Sequence, residues 1–256
     1  MEYDSDRVKF VHLEQTDSTN SYARREALRL WDECPDCKLL VVTAEEQTSG
    51  RGQRGTVWQS HKGKNLLMTI VLRPSMLEIN SCYSLTIAAA LALKESMQEY
   101  ALSTILKWPN DLYCNGYKLA GTLLETDCEG KNVTQAFIGI GLNINQIKFE
   151  EMSRQPTSMS LASGKSFNVE EVKLTIVNKF IEKYAKIVCG EEESLFDEYI
   201  KSLMGFATPL LYRDAYGEFC ATIQGVEHDG RIVLKCNDGT LRHYYFKEVE
   251  NVILGY

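Results

Sequence analysis

The sequence predicts an α+β fold in which a mixed β-sheet with packed helices occupies residues 1–205 and a small all-β domain occupies residues 206–256. Two apolar runs of strand length, Leu39–Glu45 and Leu66–Leu72, precede a longer segment, Ser81–Tyr100, whose apolar residues recur at helical spacing. After Gly205 the chain changes to short strand-like runs separated by turns. With 256 residues, 44% of them hydrophobic, the chain is long enough to bury a sizeable core.

The first elements are a short apolar strand, Phe10–Leu13, and a helix over Tyr22–Trp31. Ser18, Thr19 and Asn20 lie between them and are small polar residues of the kind that begin helices. They favour a plain N-cap. Exposed N–H and hydroxyl groups at a helix start can also hold the polar head group of a ligand, so both interpretations stay open.

The most informative stretch runs from Gln47 to Trp58 and contains three glycines and two arginines within six residues. Glycine lets the backbone approach a ligand closely, and arginine offers a planar set of donors to carboxylate or phosphate. We therefore predict an anion-binding loop, with a solvated surface loop as the plain alternative. The spacing of Gly50, Gly52 and Gly55 matches the dinucleotide fingerprint, but the strand-like Leu66–Leu72 follows where that fingerprint needs a helix.

Residues 105–125 predict two strands and a hairpin. Pro109 bars a central strand, so one strand ends at Lys107 and the next residues form a turn. Asn115-Gly116 is a strong hairpin signal, which makes Lys118 the start of the returning strand. A lysine at such a boundary is usually an exposed charge, and a functional role is the alternative.

The apolar run 136–145 is a strand interrupted by Gly139 and Gly141. Glycine weakens a strand unless it forms a bulge or something must approach the backbone closely, and both explanations stay open. Asn143 follows the glycines and offers a donor and an acceptor, the pair needed to recognise an adenine edge.

The C-terminal third begins with two helices. Asn168 and Glu171 form a capping box that opens a helix to about Val188, and Glu191–Met204 carries a second helix. Four short strand-like runs then alternate with glycine-containing turns, which predicts a small barrel-like domain. The runs are Pro209–Arg213, Phe219–Val226, Arg231–Cys236 and Leu241–Phe246.

Composition excludes several classes. No apolar run reaches about 18 residues and no signal peptide is evident, so we expect a cytoplasmic protein without membrane contact. A net charge of −7 argues against a nucleic-acid surface. The eight cysteines are expected to be reduced, and the Cys34/Cys37 pair is expected to lie in a loop after a helix. No further ligands accompany that pair, so we predict no metal site in the protein.

Five motifs follow one another along the chain. They are Ser18-Thr19-Asn20 with Gln47, Gly50-Arg51-Gly52-Gln53-Arg54-Gly55 with Trp58, Lys107-Trp108-Pro109-Asn110-Asp111, Lys118-Leu119-Ala120-Gly121, and Gly139-Ile140-Gly141-Leu142-Asn143. In this order and spacing they resemble biotin protein ligases, and the resemblance covers essentially the whole chain. It implies a class II synthetase-like catalytic domain over 1–205 and an SH3-like β-barrel over 206–256. Because the motifs begin at about residue 18, we expect the short form of the family, without an N-terminal DNA-binding domain.

The resemblance also implies the chemistry. Biotin and Mg-ATP would form biotinoyl-5′-AMP, which then biotinylates one lysine of the biotin carboxyl carrier domain of acetyl-CoA carboxylase or a related carboxylase. The implied catalytic residues are Arg51, Lys107, Asp111 and Lys118. The implied biotin-binding residues are Ser18, Thr19, Asn20, Gln47, Gly50, Arg51, Lys118, Gly121, Gly139 and Gly141. The implied adenylate-binding residues are Arg54, Trp58, Asn110, Lys118 and Asn143. Mg²⁺, ATP and biotin enter as substrates, and the protein would act as a monomer or homodimer.

Two departures from the family pattern remove positive charge from the loop. The family usually has arginine where this chain has Gln53, and often a basic residue at the position of Thr56. We expect either that the adenylate is released faster or that Arg54 provides a compensating contact. The competing functions are a lipoate or octanoate ligase of the same fold and a sensor that binds biotin or the adenylate without turnover.

Overall fold

The computed structural model describes residues 7–74, 77–150 and 156–252. Its main body is built from seven strands and five helices within these ranges. The strands are β1 (Val8–Thr16), β2 (Leu39–Gln47), β3 (Leu66–Leu72), β4 (Thr104–Lys107), β5 (Asp111–Cys114), β6 (Tyr117–Glu129) and β7 (Asn132–Leu142). The helices are α1 (Thr19–Asp32), α2 (Tyr83–Glu99), α3 (Met159–Ser163), α4 (Val169–Val188) and α5 (Glu192–Lys201).

The seven strands form one mixed sheet in the order β1-β2-β3-β7-β6-β5-β4. Only β1 and β2 pair in parallel, and all other neighbours are antiparallel. Successive side chains of a strand point to opposite faces. On β2, Leu39 and Val41 accordingly join the core that contains α2 and α4, whereas Leu40 and Val42 join the core under α1. Burial on both faces explains why this strand is an unbroken apolar run.

Five further strands follow, again counted over the described ranges: β8 (Leu210–Asp214), β9 (Gly217–Val226), β10 (Ile232–Cys236), β11 (Leu241–Tyr244) and β12 (Glu250–Asn251). They form a separate antiparallel sheet in the order β11-β10-β9-β8-β12. This confirms the predicted fold class, a mixed sheet with packed helices followed by a small β-structure. The boundary between residues 205 and 206 stays a prediction, and it falls in the connection between α5 and β8.

Several element boundaries differ from the prediction. Strand β1 is longer than Phe10–Leu13 because parallel pairing with β2 extends to Thr16. Helix α1 begins at Thr19 rather than Tyr22, with Ser18 at the N-cap position but without a capping hydrogen bond from its side chain. Asn168 is the N-cap of α4 as predicted, since its Oδ1 accepts from the backbone N–H groups of Glu170 and Glu171. Glu171 Oε1 accepts in return from the Asn168 side-chain amide, at 3.3 Å, in place of the backbone N–H of a full capping box.

The expectation that all cysteines are reduced is wrong for one pair. Cys34 and Cys37 are joined by a disulfide. The turn after α1, in which the Cys37 N–H donates to the Cys34 carbonyl, places their Cα atoms 5.4 Å apart, within the range that a disulfide spans. Their position in a loop after a helix agrees with the prediction. The free cysteines in the described ranges are Cys82, Cys114, Cys128, Cys189, Cys220 and Cys236.

A buried cation joins three helices behind the sheet. Lys183 on α4 is 7% exposed and bonds Glu95 on α2 and Glu198 on α5, the latter at 2.9 Å. Burial would raise the pKa of the Glu198 carboxyl, but hydrogen bonds from Lys183 outweigh that effect and hold the pKa below its ordinary value. Burial would lower the pKa of Lys183, and the same bonds raise it above its ordinary value.

No helix of the described ranges is long and apolar enough to cross a membrane.

Candidate active site

The polar end of the candidate site forms where α1 begins beside the end of β2. Parallel pairing places Thr16 opposite Gln47, so the residues that follow β1 meet the side chain that ends β2. The Thr19 N–H donates to Gln47 Oε1 at 2.7 Å, and the Thr19 hydroxyl lies 3.1 Å from the same oxygen. The buried Thr69 hydroxyl lies 2.8 Å from Thr19 Oγ1 and 2.6 Å from Asn20 Oδ1. These groups place a cluster of donors and acceptors inside an apolar body.

Glycines of β6 and β7 form the floor of the site. Gly121 and Gly141 lie opposite each other in the β6–β7 ladder. A Cβ at Gly141 would lie 2.5 Å from Trp58 Cε2, and a Cβ at Gly139 would lie 2.6 Å from Asn20 Oδ1. Both distances are far below van der Waals contact, so these strand glycines are required by close approach and not by a bulge.

The loop after β2 folds over this floor. The short 3₁₀ turn Gln53–Gly55 is closed by a hydrogen bond from the Gly52 N–H to the Thr56 carbonyl at 2.7 Å. The Trp58 N–H donates to the Gly50 carbonyl at 3.0 Å, which brings the chain back to the sheet. The loop is thereby tied at both ends, and its tryptophan ring lies on the glycine floor.

Two cavities of about 350 and 330 Å³ adjoin at the Trp58 ring. Both are lined by Gln47, Val57, Trp58 and Lys118. We call the one that contains the polar end the first cavity and the one that contains Asn143 the second cavity. A ligand that occupied both cavities would therefore have its middle beside Trp58 and Lys118.

The cations of the site are paired with anions and aromatic rings. Lys118 Nζ lies 2.7 Å from Asp111 Oδ1 and 5.7 Å from the Trp58 ring centroid. Lys107 is opposite Asp111 in the β4–β5 ladder, and its Nζ lies 5.5 Å from the Tyr113 ring centroid. The Asp111 carboxylate and the Lys118 ammonium thus form an ion pair at the junction of the cavities, where an anionic ligand could take the place of the carboxylate.

Two asparagines of the site use their amide donors on the backbone. Asn143 Nδ2 donates to the Thr157 carbonyl at 2.9 Å, and Asn110 Nδ2 donates to the Thr122 carbonyl. Among the described residues, Asn143 Oδ1 and Trp58 Nε1 are buried and have no hydrogen-bond partner. Buried polar atoms are normally bonded, so these two are candidates for contact with a ligand.

The loop that carries Asn110 and Asp111 is supported from behind. Its Pro109 carbonyl accepts hydrogen bonds from the phenols of Tyr83 and Tyr199, each at 2.8 Å. Burial raises the pKa of both phenols, which keeps them protonated donors. Trp108 Nε1 donates to the Gly230 carbonyl at 3.0 Å, so the C-terminal sheet also holds this loop.

Most of the predicted site residues meet in these two cavities. Those in the first cavity are Ser18, Thr19, Asn20, Gln47, Arg51, Trp58, Lys107, Asn110, Asp111, Lys118, Gly121, Gly139 and Gly141. Gly50 and Asn143 line the second cavity instead. The Arg54 side chain lies outside the described residues, so its compensating contact stays a prediction. The described residues contain no group of three or more His, Cys, Asp or Glu that could hold a metal ion.

Thr69, Glu125 and Phe246 are among the residues in or beside the site that the sequence did not indicate as functional. Thr69 is the one polar residue of β3, which was a usable signal. Glu125 on β6 bonds Arg51 at 2.8 Å, but a single glutamate in a strand gives no indication of such a partner. Phe246 brings a ring from the C-terminal part of the chain into the first cavity, which only the packing of the two sheets can show.

Comparison with known proteins agrees with this architecture. The bifunctional ligase/repressor BirA of Bacillus subtilis is 30% identical over 214 residues, which are 82% of this chain and 65% of that protein. The biotin–[acetyl-CoA-carboxylase] ligase of Paracoccus denitrificans is 29% identical over 231 residues, or 87% of this chain and 92% of that protein. Thus the chain spans just under two thirds of the length of the first relative and nearly all of the second.

A solved structure, the biotin protein ligase from Aquifex aeolicus in complex with biotin and ATP, has the same fold. It superposes with a TM-score of 0.76 and 22% identity over 95% of this chain and 98% of that one. The model of the Biotin/lipoate A/B protein ligase family matches residues 13–143. That match covers more than half of the chain, which therefore belongs to the Biotin/lipoate A/B protein ligase family.

Proposed function

We propose that the protein is a biotin protein ligase. It would join biotin to ATP with loss of pyrophosphate and then transfer biotin from biotinoyl-5′-AMP to a lysine of a biotin carrier domain. The observation that carries this proposal is the pair of adjoining cavities with Lys118 on their common wall. A ligand made of a small acid joined to a nucleotide has this two-part form.

The polar end of the first cavity supports biotin over a purely apolar acyl chain. A ureido ring has two N–H donors and one carbonyl acceptor. Gln47, Thr19 and Asn20 offer amide and hydroxyl groups of both kinds within one cluster. An octanoyl or lipoyl tail offers these groups no donor or acceptor, so any hydrogen-bonding capacity that they do not use on one another would be buried at a cost of about 1–3 kcal/mol for each unpaired group.

In the first step a carboxylate oxygen of biotin attacks the α-phosphorus of Mg-ATP, and the bond from that phosphorus to pyrophosphate breaks. Two anions must approach each other, so fixed cations lower the barrier most where water is excluded. Lys118 stands where the two cavities meet, and Arg51 and Lys107 line the first cavity. Lys118 would exchange its bond to Asp111 for one to the phosphate or carboxylate.

The second cavity would hold the adenosine part. Asn143 Oδ1 is buried and has no partner among the described residues, and an adenine amino group is a donor that would satisfy it. The Trp58 ring borders both cavities and would cover the intermediate from the solvent side. Covering matters because the mixed anhydride is hydrolysed by water.

In the second step the amine of the carrier lysine attacks the acyl carbon, and AMP leaves with the electrons of the broken C–O bond. A lysine of pKa about 10.4 loses about 4.6 kcal/mol when it must be neutral at pH 7. Once Lys118 has moved to the phosphate, the Asp111 carboxylate would accept a hydrogen bond from the incoming ammonium and help to remove its proton.

The test is to incubate the protein with Mg-ATP, a biotin carrier domain and either biotin or lipoate, and to weigh the carrier by intact mass spectrometry. We expect a biotin-sized gain that needs ATP. Lys118→Ala should reduce it at least about 100-fold, the scale for loss of one electrostatic group at a reacting phosphate or oxyanion. Lys165→Ala, at an exposed site distant in sequence from the motifs, is the matched control and should change nothing.

Two other results would assign the protein a different function. A lipoyl gain in place of the biotin gain would assign the chain to the other branch of its family. Tight binding of biotin and ATP with no gain on the carrier would make it a sensor.

A further inference from the structure

A single carboxylate joins the glycine-arginine loop to the start of helix α1. Glu125 Oε2 on β6 accepts from Arg51 Nη2 at 2.8 Å and from Asn20 Nδ2 at 2.9 Å. The Glu125 side chain is 22% exposed, and Asn20 is buried. The same oxygen thus bonds one partner on the loop and one in the body of the protein.

The two partners differ in how firmly they are held. Asn20 is fixed from its other end, because its Oδ1 lies 2.6 Å from the Thr69 hydroxyl. Arg51 is carried by the loop, and its side chain is 45% exposed. Glu125 is therefore anchored to the body through Asn20, and Arg51 is the partner that can leave.

Glu125 lies outside the first cavity. Together with Arg51 and Gly55 it lines a separate opening on the other side of the loop, whereas Arg51 and Asn20 also line the first cavity. Glu125 consequently acts on a ligand only through these two neighbours. An arginine held by one N–H in this way still has four donors for an anion in the cavity.

We propose that Glu125 is a positioning residue that latches the loop of residues 50–58 over the first cavity in the ligand-free protein. A second consequence rests on the proposed function: the same latch slows release of biotinoyl-5′-AMP, because the loop must open for it to leave. Partly exposed ion pairs of this kind change an equilibrium by about two- to fivefold. The latch should have that magnitude.

The first experiment measures amide hydrogen exchange in the ligand-free protein. The Gly52 N–H donates to the Thr56 carbonyl and the Trp58 N–H to the Gly50 carbonyl, so exchange of these amides reports local unfolding of the loop, which the latch would oppose. Glu125→Gln keeps an oxygen for Asn20 but removes the charge that holds Arg51. We expect both amides to exchange about two- to fivefold faster.

Asp127 provides a matched control. It lies two residues along the same strand and also pairs with an arginine, Arg24 at 3.1 Å, but neither residue lines either cavity. Asp127→Asn should leave both loop amides unchanged. Unchanged exchange in Glu125→Gln, or equal acceleration in Asp127→Asn, would overturn the latch.

A double variant separates the two partners of Glu125. If the latch acts through Arg51, Arg51→Gln accelerates exchange as Glu125→Gln does, and the combination adds nothing. Further acceleration by Glu125→Gln in the Arg51→Gln background would mean that Glu125 acts through Asn20, and the proposal fails.

The second experiment follows release of preformed adenylate, which should be faster in Glu125→Gln by the same factor as loop opening. Faster exchange with unchanged release would refute the second consequence alone. Because the exchange measurement needs no ligand, it stands or falls independently of the proposed function.

Discussion

Replacing Gly141 with alanine tests whether the floor of the site controls the tryptophan above it. The added methyl would lie 2.5 Å from Trp58 Cε2 and 2.8 Å from Cδ2 and Cζ2. Carbon atoms prefer about 3.5–4.0 Å, so the ring must retreat by about 1 Å. Overpacking of this kind costs about 1–3 kcal/mol. A cost of this size would weaken the affinity for a ligand that the Trp58 ring covers by about 5- to 150-fold.

The assay is the rate at which biotinoyl-5′-AMP leaves the protein after unreacted biotin and ATP are removed. Gly141→Ala should release it faster by a factor within that range, and the KM for biotin should rise. The seven-stranded sheet should lose much less stability, because the loop that carries Trp58 can move outward without separating the strands. Urea unfolding of the ligand-free protein measures that part separately.

Gly225→Ala is the control, because a Cβ at this strand glycine would meet no atom within 4 Å. It should leave both adenylate release and biotin KM unchanged. If Gly141→Ala releases the adenylate within twofold of the wild-type rate with biotin KM unchanged, the Trp58 ring does not cover the ligand and this part of the account is wrong.

Three further predictions concern other parts of the chain. Asn143→Ala should raise the KM for ATP about two- to tenfold, which is the effect of losing one hydrogen bond, and should leave the KM for biotin unchanged. Initial-rate measurements test this, and equal rises in the two KM values would mean that Asn143 does not bind the adenine. Lys183→Met should lower the free energy of unfolding, measured with urea at pH 7, by about 3 kcal/mol. Because the folded pKa of Glu198 is lowered, the pair stabilises the wild type fully above the ordinary glutamate pKa, and this stabilisation is lost as pH falls through the lowered folded pKa. The stability deficit of Lys183→Met should therefore shrink in acid, and a deficit that does not change with pH would contradict this assignment. Replacing Cys34 and Cys37 by serine should lower the free energy of unfolding by at most about 2 kcal/mol, the loop-entropy contribution of a disulfide that closes so short a ring. The variant should still biotinylate the carrier domain, and loss of this activity in a folded variant would give the disulfide a functional role.

The elements that the sequence predicted best are those specified by local pattern. Strand β3 spans Leu66–Leu72 as predicted, because a buried run of seven apolar or small residues has few other stable conformations. The hairpin at Asn115-Gly116 follows from backbone geometry, since both residues have positive φ and this dipeptide tolerates it. Local chemistry was sufficient for these features.

Features set by contacts between distant segments were not predictable in this way. The bond between Arg51 and Glu125 joins residues 74 positions apart, and it depends on the register of β6 against β7. The two-residue strand β12 exists only because β8 provides a partner. In each case the sequence offered compatible residues and tertiary packing decided their pairing.

The order of the motifs in the chain carried the site prediction further than any single residue did. The resemblance named Lys118, Asp111 and Gly141 together, and the sheet places them around one pair of cavities.

The most direct test is a crystal structure of the protein after incubation with biotin and Mg-ATP in the absence of a carrier domain. We expect biotinoyl-5′-AMP to span both cavities, with the ureido ring at Thr19 and Gln47, the phosphate beside Lys118 and the adenine at Asn143. Unreacted ligands, or an adenylate placed away from the wall shared by the two cavities, would contradict it.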